Sequence, residues 1–91
     1  MPIKIKYAED GIGIKFIAFD VVTGKDIIEA NKDIYSRKNF PKMKYKIADR
    51  TKCTEYLVKG SEVRMIAEQE KEASKINPDF IVALVSKSDH Q

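Results

Sequence analysis

The chain has 91 residues, of which 43% are hydrophobic and 34% are charged, and its formal net charge is +3 at pH 7. This length fits one domain and excludes two independent cores, and the mixed composition excludes a disordered or fibrous chain. The longest apolar runs, residues 16–19 and 80–85, are far shorter than the roughly 20 residues of a membrane-spanning helix, which excludes such a helix.

The start of the sequence and its few ligand-type side chains bear on location and cofactors. Residues 1–7 carry Lys4 and Lys6 and lack the apolar segment of a secretory signal, so we expect a cytoplasmic protein. Cys53 is the single cysteine and His90 the single histidine. An internal disulfide and a compact Cys/His zinc site are therefore excluded, and we expect no cofactor and no metal.

Two strands joined by a hairpin are predicted at the start of the chain. Ile3, Ile5 and Tyr7 alternate with lysines, which is typical of a strand with one wet face, and residues 9–11, Glu-Asp-Gly, have turn chemistry. In residues 12–21 apolar side chains fall on both faces. This pattern predicts a central strand.

A helix and a short third strand are predicted next. The Thr23 hydroxyl can cap the helix, Asp26 in its first turn is favourable against the helix dipole, and the helix is expected to end near Ser36. A strand is then predicted over residues 45–49, and a loop through residues 53–55.

The second helix and the last strand complete the predicted elements. Ser61 is expected to be the N-cap of this helix, with Glu62 in its first turn. Asn77 should end the helix because it precedes Pro78, and the residue before a proline avoids the helical region. Residues 80–85 form a continuous apolar run, which predicts a strand buried on both faces.

The order of these elements predicts an α/β fold. It is a mixed sheet of about four strands with two helices on one face, in the order ββαβαβ, forming a single domain over residues 1–91. Right-handed crossovers between neighbouring strands place both helices on the same face. The other face then lacks cover, and we expect a missing C-terminal segment or a second subunit, as in a homodimer, to cover it.

The chain resembles the SpoIIAA-like, STAS-type domains of sulfate transporters and anti-sigma-factor antagonists. The resemblance is carried by TGKDII at residues 23–28, IADRT at 47–51 with the polar segment after it, SEVR at 61–64 and IVALV at 81–85. In element order it spans nearly the whole chain. It implies a non-enzymatic regulatory or protein-interaction domain, with its partner bound at the surface around residues 49–61. The partner-binding residues are expected to be Asp49, Thr51, Thr54 and Lys59.

The resemblance also makes Ser61 a phosphorylation candidate. In many members a Ser or Thr at the start of a helix is phosphorylated to release the partner. Their motif has an Asp, two small hydroxyl residues and a Gly, whereas residues 58–61 here are Val-Lys-Gly-Ser. Free N–H groups at a helix start favour a phosphate, and Lys59 is near to pair with it. A serine there also serves simply as an N-cap, so both roles stay open.

A basic segment, residues 37–52, suggests an alternative function. It holds seven basic residues against one acidic residue, a net charge of +6, interleaved with Phe40 and Tyr45. Such a segment can follow a phosphate backbone or an acidic partner, so the alternative is a nucleic-acid-binding module. Its basic residues are Arg37, Lys38, Lys42, Lys44, Lys46, Arg50 and Lys52.

An enzyme built on Asp49 and Cys53 is a third hypothesis. Asp49 is expected at the C-terminal end of a strand, where α/β sites lie, and Cys53 in the loop that follows. A thiol nucleophile needs a positioned base, however, and the sole histidine, His90, lies at the far polar end of the sequence. We therefore expect no enzymatic activity.

Overall fold

The computed structural model describes residues 2–86, and the elements there follow the predicted order ββαβαβ. They are β1 (Ile3–Tyr7), β2 (Gly13–Thr23), α1 (Gly24–Tyr35), a short 3-10 helix (Phe40–Lys42), β3 (Tyr45–Leu57), α2 (Gly60–Ile76) and β4 (Ile81–Val85). The strands form one sheet in the order β1-β2-β3-β4, in which β1 is antiparallel to β2 and the other pairs are parallel. The predicted mixed α/β sheet is confirmed.

The predicted hairpin joins β1 to β2. Its turn contains Gly11 with a φ of 75°, in the left-handed region that glycine adopts without steric cost. The register runs from Ile3 opposite Ala18 to Tyr7 opposite Ile14. Since β2 then pairs with β3 on its other edge, its predicted central position is also confirmed.

Both helices lie over the same face of the sheet. The amine of Lys46, in β3, is 2.9 Å from the Asn31 side chain of α1 and 3.5 Å from the Glu70 carboxylate of α2. Ile14 is the neighbour of Lys46 on β2 and is 1% exposed. The core therefore forms between this face and the helices, and its buried apolar members are Ile3, Ile14, Phe16, Ala18, Val22, Ile27, Ala30, Ile34, Phe40, Met43 and Ala73.

The start of α1 agrees with the prediction. The N–H and the hydroxyl of Thr23 both donate to the Asp26 carboxylate at 3.0 Å, and the Asp26 N–H donates back to the Thr23 hydroxyl at 3.3 Å. This reciprocal capping satisfies N–H groups that a helix start leaves free. The helix ends at Tyr35, with Ser36 as its C-cap.

The prediction for the third strand was too short. β3 continues from Tyr45 to Leu57, so residues 53–55 are in a strand and the predicted loop is wrong. The long strand β2 provides the reason, because it pairs with β3 as far as Thr23 opposite Leu57. β3 carries one extra residue at each of two irregularities in this ladder, and pairing outweighs its local polarity.

The start of α2 also differs from the prediction. The helix begins at Gly60 with Lys59 as its N-cap, which places Ser61 in the first turn. The Lys59 carbonyl accepts the N–H of Val63 at 3.0 Å, and the Glu62 carboxylate accepts the Lys59 N–H at 2.9 Å. The helix ends at Ile76, directly before Asn77 and Pro78, as predicted.

The last strand exists, but its predicted burial is wrong. All five residues of β4 are exposed, from 42% for Val85 to 65% for Ile81. β4 is the outermost strand of the sheet, and α2 packs mainly against α1. An apolar run has the same pattern in an edge strand as in a central one, which is why the sequence pattern could not separate the two.

Candidate functional site

The predicted partner surface, residues 49–61, lies where β3 runs to its end and α2 begins. Near its start, the Asp49 carboxylate accepts hydrogen bonds from the hydroxyl of Thr51 at 2.7 Å and from its N–H at 2.9 Å. These bonds hold the pKa of Asp49 below its usual value, with a smaller contribution from the Lys15 amine 4.0 Å away. Asp49 is therefore a fixed negative charge at neutral pH.

The predicted partner-binding residues do not form one compact site. Asp49 and Thr51 bond to each other, whereas Lys59 and Ser61 lie at the start of α2, and Thr54 is exposed between the two groups. Asp49 is eight residues before the end of β3, a distance of about 25 Å along a strand. A partner would touch all of them only by lying along the length of β3.

Apolar side chains that the sequence analysis did not single out lie at the far end of this surface. Tyr56 is 45% exposed, Leu57 51% and Val63 54%. Val21 of β2 is also exposed, and it pairs with Glu55, the residue before Tyr56. The Arg50 guanidinium lies 4.1 Å from the centre of the Tyr56 ring. The sequence signal that could have revealed these exposed side chains is the Tyr56-Leu57 pair at the end of an otherwise polar segment.

The starts of the two helices meet at this same end of the molecule. The Glu62 side chain packs so closely on Gly24 that any side chain at Gly24 would collide with it. Asp26 and Glu62 each accept an N–H at the start of their helix. Carboxylates already lie at both positive helix ends, so a phosphate on Ser61 would add about two negative charges beside Glu62.

The structure spreads the basic segment, residues 37–52, over distant parts of the surface. Arg37 stacks on Tyr7 and donates to its hydroxyl at 2.6 Å, and Arg50 stacks on Tyr56. Lys38, Lys42, Lys44 and Lys52 are exposed. Lys44 lies directly before β3 and Lys52 lies within it, up to about 25 Å apart along an extended chain, so these residues do not make one compact patch.

Lys46, the remaining member of that segment, lies inside the molecule. It is 4% exposed, and its amine donates to Asn31 Oδ1 at 2.9 Å and to the Tyr35 hydroxyl at 2.8 Å. The Tyr35 hydroxyl donates in turn to the Glu70 carboxylate at 2.6 Å. The amine also lies 5.3 Å from the centre of the Phe16 ring. Lys46 joins β3 to both helices and does not reach a partner.

Burial shifts the pKa values of this cluster. Loss of water lowers the pKa of Lys46, although the nearby Glu70 carboxylate opposes this change. Burial, and then the hydrogen bond to Glu70, raise the pKa of Tyr35 far above its usual value. A lysine amine with a lowered pKa can act as a nucleophile, but this one is enclosed between sheet and helices.

We predict that Tyr35 stays protonated in the folded protein when an unfolded tyrosine would ionise. Stability contributed by protonated Tyr35 is fully present below about pH 10 and is lost as the pH rises above that value. Absorbance at 295 nm should therefore show almost no difference between wild type and Tyr35→Phe at pH 11 in the folded state. In urea the two should differ by one ionised tyrosine. A full one-tyrosine difference in the folded proteins would refute the prediction.

The hypothesis of an enzyme built on Asp49 and Cys53 gains little from the geometry. The Cys53 thiol donates to the Glu55 carbonyl at 3.0 Å, while the Asp49 carboxylate is bonded to Thr51. His90 lies outside the described residues. Within residues 2–86 there is also no group of three or more His, Cys, Asp or Glu side chains arranged to hold a metal ion.

A groove of about 570 Å³ runs between α1 and α2 on the outside of the molecule. Its floor is apolar, and both acidic and basic side chains line its edges. The lining residues are Lys32, Tyr35, Ser36, Arg64, Met65, Glu68, Gln69, Glu72, Ala73 and Ile76.

Comparison with known proteins does not place the chain in a family. No protein-family model matches it, and no curated protein matches it either. None of the helices in residues 2–86 has the length and apolarity needed to cross a bilayer.

Proposed function

We propose that the chain is a non-enzymatic regulatory or protein-interaction domain of the STAS-like kind, which binds a protein partner through the 49–61 surface. The observation that carries the proposal is the exposure of three large apolar side chains that are close in sequence, Tyr56 and Leu57 at the end of β3 and Val63 in the first turn of α2. Folded monomers rarely leave large apolar side chains grouped on the surface, and such groups mark interaction sites.

The composition of this surface fits a protein partner. Successive side chains of a strand point to opposite faces, so a partner would contact Tyr56 and Leu57 by enclosing the end of β3, with Thr54, Lys59 and Ser61 as its polar rim. Arg50, stacked on Tyr56, brings a charge to the same place. Tyrosine and arginine are the residue types that most often dominate interface energies.

Photo-crosslinking in cells tests the proposal. A benzoylphenylalanine at position 57 should form a covalent adduct of one discrete mass with a partner protein. The matched control places the same residue at Asp33, which is exposed near the other end of α1. The proposal requires that the adduct forms at position 57 and not at position 33. Identical adducts at both positions, or none at either, would contradict it.

Regulation through Ser61 is a separate part of this proposal. Ser61 is exposed in the first turn of α2 and next to Glu62, so a phosphate there would change the charge of the surface abruptly. We expect Ser61→Glu to weaken partner binding and Ser61→Ala to leave it unchanged. Intact mass of the protein from its own host reports whether the phosphate is present. Equal affinity of Ser61→Glu and Ser61→Ala for the partner would contradict regulation by phosphorylation of Ser61.

The alternative, a nucleic-acid-binding module using residues 37–52, has less support because Lys46 is buried and its neighbours are far apart. It predicts an affinity that falls steeply with salt. Absence of binding even at low salt would remove it. The enzyme hypothesis predicts a Cys53 thiol that is more reactive than an ordinary one, and thiol reactivity measured across the pH range tests it.

A further inference from the structure

One face of the sheet has no helix over it, and the register of the strands shows which residues lie side by side on that face. This open face consists of Lys4 and Lys6 of β1, Gly13, Lys15 and Ile17 of β2, Tyr45, Ile47 and Asp49 of β3, and Ile81, Ala83 and Val85 of β4. One row across the sheet reads Lys6, Lys15, Ile47, Ala83, and the next reads Lys4, Ile17, Asp49, Val85. The face is therefore cationic along β1 and mostly aliphatic along β3 and β4.

Two of the three lysines on the open face, Lys4 and Lys6, lack an acidic partner in residues 2–86. Lys6 lies directly opposite Lys15, and like charges in that position repel each other. The acid nearest to the Lys15 amine is Asp49 at 4.0 Å, and its carboxylate is bonded to Thr51. Lys4 and Lys6 make no ion pair with any residue in 2–86. An acidic group brought to this edge would relieve the repulsion.

The aliphatic half lacks cover. Ile81 is 65% exposed, and Val85 is also exposed, although parallel strands such as β3 and β4 are usually covered on both faces. On the opposite face two helices cover the sheet as far as Lys46 of β3, whereas Val82 and Leu84 of β4 are exposed on that face too. A further helix is the element that sheets of this kind most often place on the second face.

We infer that the open face docks an acidic amphipathic helix of a partner protein, whose apolar stripe covers β3 and β4 and whose acidic flank pairs with the lysines of β1 and β2. The inference rests on the proposed function and names a second contact surface and the chemistry of the partner. A helix is about 10 Å wide and strands are about 4.8 Å apart. A helix centred on β3 therefore places its flank over β2, within glutamate reach of β1.

Two other occupants fit this face less well. Two copies packed face to face by a two-fold axis along the strands would set the lysines of each copy on the aliphatic edge of the other. With the axis across the strands, lysines would face lysines. A nucleic acid would use the lysines and Tyr45, but it would leave the aliphatic side chains of β4 uncovered. An acidic helix pairs with the lysines and covers the aliphatic side chains, while its acidic flank must avoid Asp49, which lies in the row that ends at Val85 of β4.

The test uses two designed peptides of 18 residues and the full chain. Both have leucines spaced for one helical stripe, and the flank of one carries glutamates while that of the other carries lysines. The glutamate peptide should bind at micromolar concentration and shift amide NMR signals of β2, β3 and β4. The lysine peptide should bind at least tenfold more weakly.

Variants locate the contact. Replacing Lys4 and Lys6 together by glutamate should weaken binding of the glutamate peptide at least tenfold, and Ile81→Ser should have a similar effect. The matched control replaces Lys38 and Lys71, which are exposed away from this face, and should leave the affinity within twofold. All these side chains are exposed, so the variants should fold, which circular dichroism verifies.

Several results would overturn the inference. These are peptide-induced shifts confined to the groove between α1 and α2, equal affinity for both peptides, tighter binding of a 20-nucleotide poly(dT) to this face, or dimerisation that buries it. The crosslinking experiment at position 57 tests a different surface, the 49–61 surface. If a discrete adduct forms at position 57 and the glutamate peptide does not bind the open face, only the open-face inference is refuted. If no adduct forms at position 57, the proposed function is refuted.

Discussion

Replacing Lys46 by alanine should lower the free energy of unfolding by about 3 kcal/mol, within the range measured for buried large-to-small substitutions. The substitution removes a side chain packed between the rings of Phe16 and Tyr35. It also leaves the Asn31 oxygen without the donor it has in the wild type, although Asn31 is 1% exposed. A buried polar group that loses its partner costs about 1–3 kcal/mol. Urea unfolding followed by circular dichroism measures the loss.

A methionine at position 46 separates packing from polarity. Lys46→Met keeps most of the volume, so its loss should be about 1–2 kcal/mol, chiefly from the unpaired Asn31. Adding Asn31→Leu to Lys46→Met should recover part of this loss, because the orphaned group is then removed. A loss below about 0.5 kcal/mol for Lys46→Ala, which is the size of an ordinary surface substitution, would show that the cluster does not hold β3 to the helices.

Replacing Asn77 by alanine should lower the free energy of unfolding by about 2–3 kcal/mol, because the buried Met43 carbonyl loses its side-chain donor and the Phe40 carbonyl keeps only the Met43 N–H. The Asn77 side-chain amide donates to the carbonyl of Phe40 at 2.9 Å and to that of Met43 at 2.6 Å. Phe40 and Met43 are 0% and 1% exposed. Asn77 thereby ties the end of α2 to the 3-10 helix before β3.

An aspartate at position 77 makes the test specific. Asn77→Asp is nearly isosteric but sets a carboxylate against two carbonyl oxygens, so at neutral pH it should cost at least as much as alanine. Its folded-state pKa would be raised, so the deficit should shrink as the pH falls and the acid becomes protonated. The matched control, Asn39→Ala, changes an exposed asparagine that makes no capping hydrogen bond, and should cost under about 0.5 kcal/mol. Equal losses at positions 39 and 77 would contradict the assignment.

Local chemistry predicted those element boundaries that depend on neighbours in the chain. Thr23 and Asp26 are three residues apart and cap α1 by themselves, and the Asn77-Pro78 pair marked the end of α2 in the sequence. The alternation of Ile3, Ile5 and Tyr7 likewise identified β1. These signals are local, and so is the structure that they specify.

Predictions that depend on distant partners were less accurate. The length of β3 is set by its ladder with β2, and the exposure of β4 by its place at the sheet edge. The local sequence pattern of residues 50–57 does not predict the length of β3, and that of residues 81–85 does not predict the exposure of β4. For α2, Ser61 was a plausible N-cap by residue type, yet the N-cap is Lys59, two residues earlier, where the Glu62 carboxylate accepts the Lys59 N–H.

The hydrogen-bonded cluster around Lys46, which includes Asn31, Tyr35 and Glu70, was not predicted. The pattern of an alternating strand does not distinguish a buried lysine from an exposed one. A signal was nevertheless present on α1, where Asn31 lies within the apolar stripe of Ile27, Ala30 and Ile34. A polar side chain at such a position needs a buried partner. On the 49–61 surface, the polar members were predicted, but the exposure of Tyr56 and Leu57 depends on tertiary structure and was not.

Titration calorimetry with the protein crosslinked at position 57, purified as the partner, tests the proposed function most directly. Wild type should bind in a one-to-one complex, and Leu57→Glu should weaken the affinity at least tenfold, because a charge would enter the apolar centre of the interface. Ser74→Glu, an exposed change on the far half of α2, should leave the affinity within twofold. Equal affinities of wild type and Leu57→Glu would contradict a partner site at the 49–61 surface.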